Sequence, residues 1–146
     1  MSKEFGSMPL TWTRIGKYSE GVGIYLCDQI VEKLPFDQKS NEWDGSDIKQ
    51  WLNEEFYNQP FSDEQKKSIV FNADANARVF LLSVEEYERL KTNISNAICD
   101  WWLRSPGYNI LTAAFVYDSD DLDSLGDYVF DGNGVRPAIL LRKEEG

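Results

Sequence analysis

Two apolar segments constrain this chain more than any other feature: WWLRSPG at Trp101–Gly107 and GVRPAILL at Gly134–Leu141. Each reads as a rigid strand carrying one arginine and one proline. The 26 residues between them, 108–133, are dominated by Tyr, Asp, Asn, Ser and small residues. That arrangement suits a scaffold presenting a surface more than it suits a reaction centre.

A chain of 146 residues is long enough for one domain with a substantial core. Five Trp, seven Tyr and eight Phe must mostly be buried, because one domain surface cannot carry so many rings without aggregating. Fifteen basic against 25 acidic side chains give a formal charge of -10, which repels phosphate backbones and disfavours direct nucleic-acid binding. There is no histidine, so the commonest general base, the usual zinc site and the Ser/His or Cys/His nucleophiles are missing. Cys27 and Cys99 lie too far apart for a metal-ligand spacing and are expected as reduced thiols, with a pairing left open. No apolar run approaches the roughly 20 residues that span a bilayer, so membrane insertion is not expected. The start, MSKEFGSMPL, has no signal-peptide core. Residues 1–8 are expected to be tag-derived or disordered.

Along the chain, Leu10–Ile15 and Gly21–Cys27 read as strands joined by a polar turn at Gly16–Glu20. Leu34–Asp44 reads as a loop anchored by Trp43. Ser46 is placed to cap a helix through about Phe56, with Ile48, Trp51, Leu52 and Phe56 on one face. Ser62–Gln65 and Ser83–Glu86 are capping boxes, opening helices to about Ile69 and Lys91. Arg78–Leu82 is a short strand between them. Further strands are expected at Asp100–Ser105, Thr112–Tyr117, Asp127–Phe130 and Val135–Arg142, with turns at Pro106-Gly107 and Gly132–Gly134. The pattern predicts an α+β fold.

These motifs (SDIKQWLNEEFYNQPFSDEQKKSI, VFLLSVEEY, WWLRSPG and GVRPAILL) resemble a family of bacterial and phage domains of unknown function, over about Trp12 to Leu141. That family in turn resembles the C-type-lectin-like fold, shared by formylglycine-generating enzymes and the variable proteins of diversity-generating retroelements. The resemblance implies paired N- and C-terminal strands, two to three helices beside them and a loop-rich second antiparallel sheet. Formylglycine-generating enzymes hold copper with two close C-terminal cysteines; this half of the chain has only Cys99. The proline-centred triplets of calcium-dependent lectins are also absent. The resemblance therefore carries fold more than function.

Candidate binding residues follow from composition. Tyr108, Asn109, Tyr117, Asp118, Asp120, Tyr128, Asp131 and Asn133 combine large contact area with adaptable hydrogen bonding, as paratopes do. An ordinary meander would use the same residues. Asp118–Asp123 lacks EF-hand spacing and reads as a solvated acidic loop rather than a calcium site. Arg104 and Arg136 are either a paired anion site or structural arginines bonded to carbonyls or to a carboxylate such as Asp100 or Asp44. Trp101 and Trp102 must face opposite sides of their strand, one filling the core and the other lining a groove or packing under a loop. The resulting expectation is one C-type-lectin-like domain over residues 1–146, non-enzymatic and without cofactor or metal. Its surface at 107–133 would bind a protein or glycan. Alternatives are an assembly module of a phage particle or envelope protein, an enzyme using carboxylates such as Asp118 and Asp131, or an acidic inhibitor of a nucleic-acid enzyme. Oligomeric state and compartment stay open.

Overall fold

The computed structural model describes residues 2–7 and 9–142. It is a mixed α+β structure with two sheets and three α-helices. Sheet A contains β1 (Ser2–Glu4), β2 (Thr11–Ser19), β3 (Val22–Cys27), β5 (Ile69–Val70), β6 (Val79–Phe80) and β11 (Ala138–Arg142). Its path is β1-β2-β3-β11-β5, with β6 also paired to β11. Sheet B runs β4 (Glu32–Leu34), β10 (Asn133–Val135), β7 (Trp101–Pro106), β8 (Thr112–Val116), β9 (Leu122–Tyr128). All its pairs are antiparallel except β10 with β7, which meet in parallel at Gly134 and Trp101.

The apolar strands form the spine because both their faces are buried. Along β11, Ala138 and Leu140 enter one cluster, while Ile139 and Leu141 enter the other. Trp101 and Trp102 divide in the same way, since successive side chains of a strand point to opposite faces. Neither tryptophan lines a groove, contrary to one sequence expectation: both are 0% exposed. Trp102 does pack under a loop, its Nε1 donating to the Leu34 carbonyl at 2.8 Å and its ring meeting Phe36 edge-on.

Where local signals were strong, they held. Ser62 and Ser83 each complete a capping box, starting α2 (Asp63–Lys66) and α3 (Val84–Leu90). Ser46 caps α1 (Asp47–Gln50), which continues through a π-turn at Trp51–Glu55 and a 3-10 turn at Phe56–Asn58. Four departures have tertiary causes. The expected turn at Gly16–Glu20 is mostly strand, because β2 runs on to Ser19 through two register shifts and turns only around Gly21 (φ 74°). Helix α2 stops at Lys66, because Ile69 and Val70 are needed as a ladder on β11. The expected strand at Asp127–Phe130 begins instead at Leu122. The expected strand Val135–Arg142 is two strands in different sheets, split at Arg136-Pro137. Proline has no N–H for a ladder there, and its carbonyl instead accepts from Cys27 N–H at 2.9 Å.

Residues 2–7 carry structure where disorder was one expectation; Met1 lies outside the described residues. Residues Ser2–Glu4 pair with β2, Phe5 packs on Phe61 at 5.4 Å, and Ser7 N–H donates to the Pro60 carbonyl. Met8 lies outside the described residues. The expected pairing of terminal strands is indirect: β11 lies against β3, not β2.

Candidate functional site

Sheet B ends on β9, and the 107–133 segment is built around the β8–β9 hairpin. Strand β8 is buried at every position, so the hairpin flanks have no inward room for more large side chains. Backbone bonds draw the flanks together: Tyr108 N–H donates to the Leu125 carbonyl at 2.9 Å, and Val129 N–H to that of Leu111 at 2.8 Å. The rings of Tyr128 and Phe130 stack with centroids 5.5 Å apart and planes 8° from parallel.

The segment exposes an unusual number of large apolar side chains. Nine large apolar or aromatic side chains are exposed among the described residues: Phe71, Ile98 and seven from this segment, namely Tyr108, Ile110, Leu111, Tyr117, Leu125, Tyr128 and Phe130. Tyr108, Ile110 and Leu125 are each more than 60% exposed, at 64%, 63% and 65%. Six aspartates and no Lys or Arg fall between Ser105 and Val135, so the face is also anionic.

β9 is an edge strand, and three of its amides are turned onto its own carboxylates. Asp123 Oδ1 accepts from the N–H groups of Leu125 and Gly126, both at 3.1 Å, and Asp127 Oδ1 accepts from Tyr128 N–H at 2.8 Å. Amides already turned onto the strand's own carboxylates are withheld from an incoming chain. Burial pushes the Asp123 carboxyl up, but the Gly126 amide, the Tyr117 hydroxyl and the Leu125 amide outweigh it and hold it below the ordinary range. The occupied amides favour recognition through side chains on this edge.

The sequence-predicted binding residues separate into two groups. Tyr108, Tyr128, Asp118 and Asp131 are exposed, and Tyr117 is partly so, its hydroxyl donating to Asp123 Oδ2 at 2.8 Å. Desolvation and the neighbouring Asp127 raise the Asp131 carboxyl above its ordinary range. Three others serve the fold. Asn109 builds the tight turn after β7, its Oδ1 accepting from Leu111 N–H. Asp120 takes a positive φ of 75°, and its carbonyl accepts the Tyr87 hydroxyl at 2.8 Å. Asn133 is 9% exposed and donates to Asp127 Oδ2 at 3.0 Å.

Arg104 and Arg136 are not a joint anion site. Arg104 forks onto Glu86 (2.6 and 3.2 Å) and donates to the Leu81 carbonyl at 2.7 Å. Its partner is thus Glu86, neither Asp100 nor Asp44. Glu86 Oε1 also accepts from Ser83 N–H, so the α3 capping box and the ion pair are one unit. Arg136 is 1% exposed. It donates to the Cys27 carbonyl at 2.7 Å, the Ser95 carbonyl at 2.8 Å and Ser95 Oγ at 3.0 Å, and covers the Trp101 ring at 5.0 Å. Burial lowers its pKa, against the opposing pull of Asp28.

Two of the concavities border sheet B. Asp118 and Asn133 border a polar cleft of about 280 Å³ with Lys33, Cys99 and Asp100. Cys99 and Cys27 are both free thiols. Among the described residues, no group of three or more acidic or thiol side chains is placed to hold a metal ion. The second cleft, of about 260 Å³, lies at the other edge of sheet B between β4 and the π-turn, against Leu34, Pro35 and Trp51. Sequence reasoning placed Trp51 on the packing face of its helix and missed this cleft. The neighbouring Glu54-Glu55 pair on the same helix was visible, but not specific enough to mark it.

Fold and surface together define a two-sheet α+β domain that displays an apolar, acidic hairpin face. The chain belongs to the family described as domain of unknown function DUF6273, which matches residues 22–143. No curated protein and no solved structure matches it. No helix among the described residues is long and apolar enough to cross a membrane.

Proposed function

We propose that this chain is a non-catalytic binding module whose β8–β9 face captures a protein partner with a basic, partly apolar surface. The observation that carries this reading is the concentration of exposed large apolar side chains on one acidic hairpin segment. Seven of the nine exposed large apolar or aromatic residues among the described ones lie there. Patches of this kind mark interaction sites, and aromatic anchors supply most binding energy where they are enclosed. Ile110, Leu111 and Leu125 favour a protein over a glycan, because aliphatic side chains offer a sugar neither a stacking face nor hydrogen bonds. The absence of Lys and Arg between Ser105 and Val135 selects a basic partner and speeds its approach at low salt. We read the fold itself as C-type-lectin-like. Terminal β11 lies beside the N-terminal hairpin, the helices fall between them in sequence, and the second sheet carries the displayed insert.

The test compares immobilised wild type with the triple variant Tyr108→Ala/Tyr117→Ala/Tyr128→Ala in retaining proteins from the source cell. The wild type is expected to hold a basic protein that the folded triple variant and Leu125→Asp both release. Equal retention by all three would end this assignment. Self-association of the pure chain through the same face would move the reading to an assembly module.

A further inference from the structure

The cleft at the β4 edge is built differently from the hairpin face. Its inner wall is Leu34 and Pro35, where the chain leaves β4, together with Trp51, which is only half buried. Its rim carries Asp47, Glu54 and Glu55, and no Lys or Arg lines it. Among the described residues, none of these three carboxylates is in an ion pair. Among the described residues, the Glu54 carboxylate accepts only from the Gln50 side-chain amide, at 3.0 Å. The helix around it adopts a π-turn at Trp51–Glu55, a rare backbone form that often accompanies functional sites.

The loop that brings Gln38 to the cleft is tied to its own turn and to the start of α1. Asp37 Oδ2 accepts from the N–H groups of Lys39 and Ser40, and its Oδ1 from Asp47 N–H, all at 3.0 Å. Burial raises the Asp37 carboxyl, but these amides win and keep it below its ordinary range. The cleft is therefore preorganised rather than formed on contact.

We propose that this cleft takes an arginine side chain presented by a partner protein. The stem methylenes lie against Leu34 and Pro35, the guanidinium plane stacks on the Trp51 indole, and its N–H fork meets the Glu54 and Glu55 carboxylates, with Asp47, about two helical turns earlier, adding to the negative field. An apolar wall, an aromatic face and an uncompensated anionic rim within about 260 Å³ complement an arginine in each of its parts. Lysine offers no plane for the indole and no fork for the acids. A carboxylate or phosphate ligand is repelled by all three rim acids. The site lies on the edge of sheet B opposite β9, so it does not depend on the hairpin reading.

The test titrates ¹⁵N-labelled full chain with acetyl-Gly-Gly-Arg-Gly-Gly-amide and with the same peptide carrying citrulline, the neutral isostere, in place of arginine. The arginine peptide is expected to shift the Trp51 indole N–H and the amides of residues 47–55, and the citrulline peptide to leave them in place. Glu54→Gln/Glu55→Gln should weaken the arginine peptide about fivefold, the size expected for two exposed ion pairs. Tyr108→Ser should leave the titration unchanged, which separates this site from the hairpin face. Equal shifts by both peptides, no shift at all, or an unaffected double variant would overturn the proposal. Glu55→Gln alone, at an exposed side chain with no hydrogen-bond partner among the described residues, replaces the double variant if that fails to fold.

Discussion

Strands β7 and β11 and the β8–β9 hairpin flanks are close in sequence but resolve opposite problems. The two strands bury apolar side chains on both faces, and Arg104 of β7 and Arg136, just before β11, are tied to carbonyls, a hydroxyl or a carboxylate. The flanks instead leave Tyr108, Ile110, Leu125 and Phe130 in water, while their carboxylates close off the edge amides. The first region removes every reason to interact with anything else. The second blocks backbone recruitment yet keeps side-chain contact area available. A surface so arranged discriminates partners by shape and charge rather than by strand addition.

Arg136→Met probes the comparison hardest. It leaves the Cys27 and Ser95 carbonyls without their donor inside the core, and is expected to cost about 3 kcal/mol or more in denaturant unfolding. Next comes alkaline pH. Burial pushes the Cys27 thiol from 9.0 up to about 11 and the Tyr87 hydroxyl from 10.0 up to about 12. Both groups titrate higher in the fold than in the unfolded chain. Their contribution is thus complete below pH 9 and is lost as pH rises through 11 and 12. Melting temperature should fall across that window, with Cys27 alone worth about 2 kcal/mol, and Cys27→Ala should flatten the lower part of the fall. Glu86→Ala removes one ion pair and one cap together, for an expected loss of about 2 kcal/mol. The smallest effect belongs to the displayed face. Tyr108→Ser and Leu125→Ser should each change stability by no more than about 0.5 kcal/mol. A large loss at either position would mean that the face belongs to the core rather than to a partner.

Local chemistry was readable where a few neighbouring residues decide the outcome. The Ser46, Ser62 and Ser83 caps, the period-two division of Trp101 and Trp102, and the apolar spine all follow from side chains within one or two turns of each other. The structural roles of Asp120 and Asn133 were not readable, because their partners are Tyr87, 33 positions away, and Asp127, brought alongside by the strand register. The Glu86–Arg104 pair was hidden for the same reason: a charge pair separated by 18 positions has no local signature.

From sequence alone came the α+β class, the buried spine with its acidic aromatic insert, and the lack of histidine chemistry. Tertiary structure alone decided that GVRPAILL divides between two sheets at Arg136-Pro137, that β9 starts at Leu122, and that the π-turn at Trp51–Glu55 faces a cleft against Leu34 and Pro35. The physical reason is range. Caps and alternation are set by hydrogen bonds and directions inside one segment, whereas sheet membership, strand register and concavity depend on which distant backbone groups find each other once the core has closed.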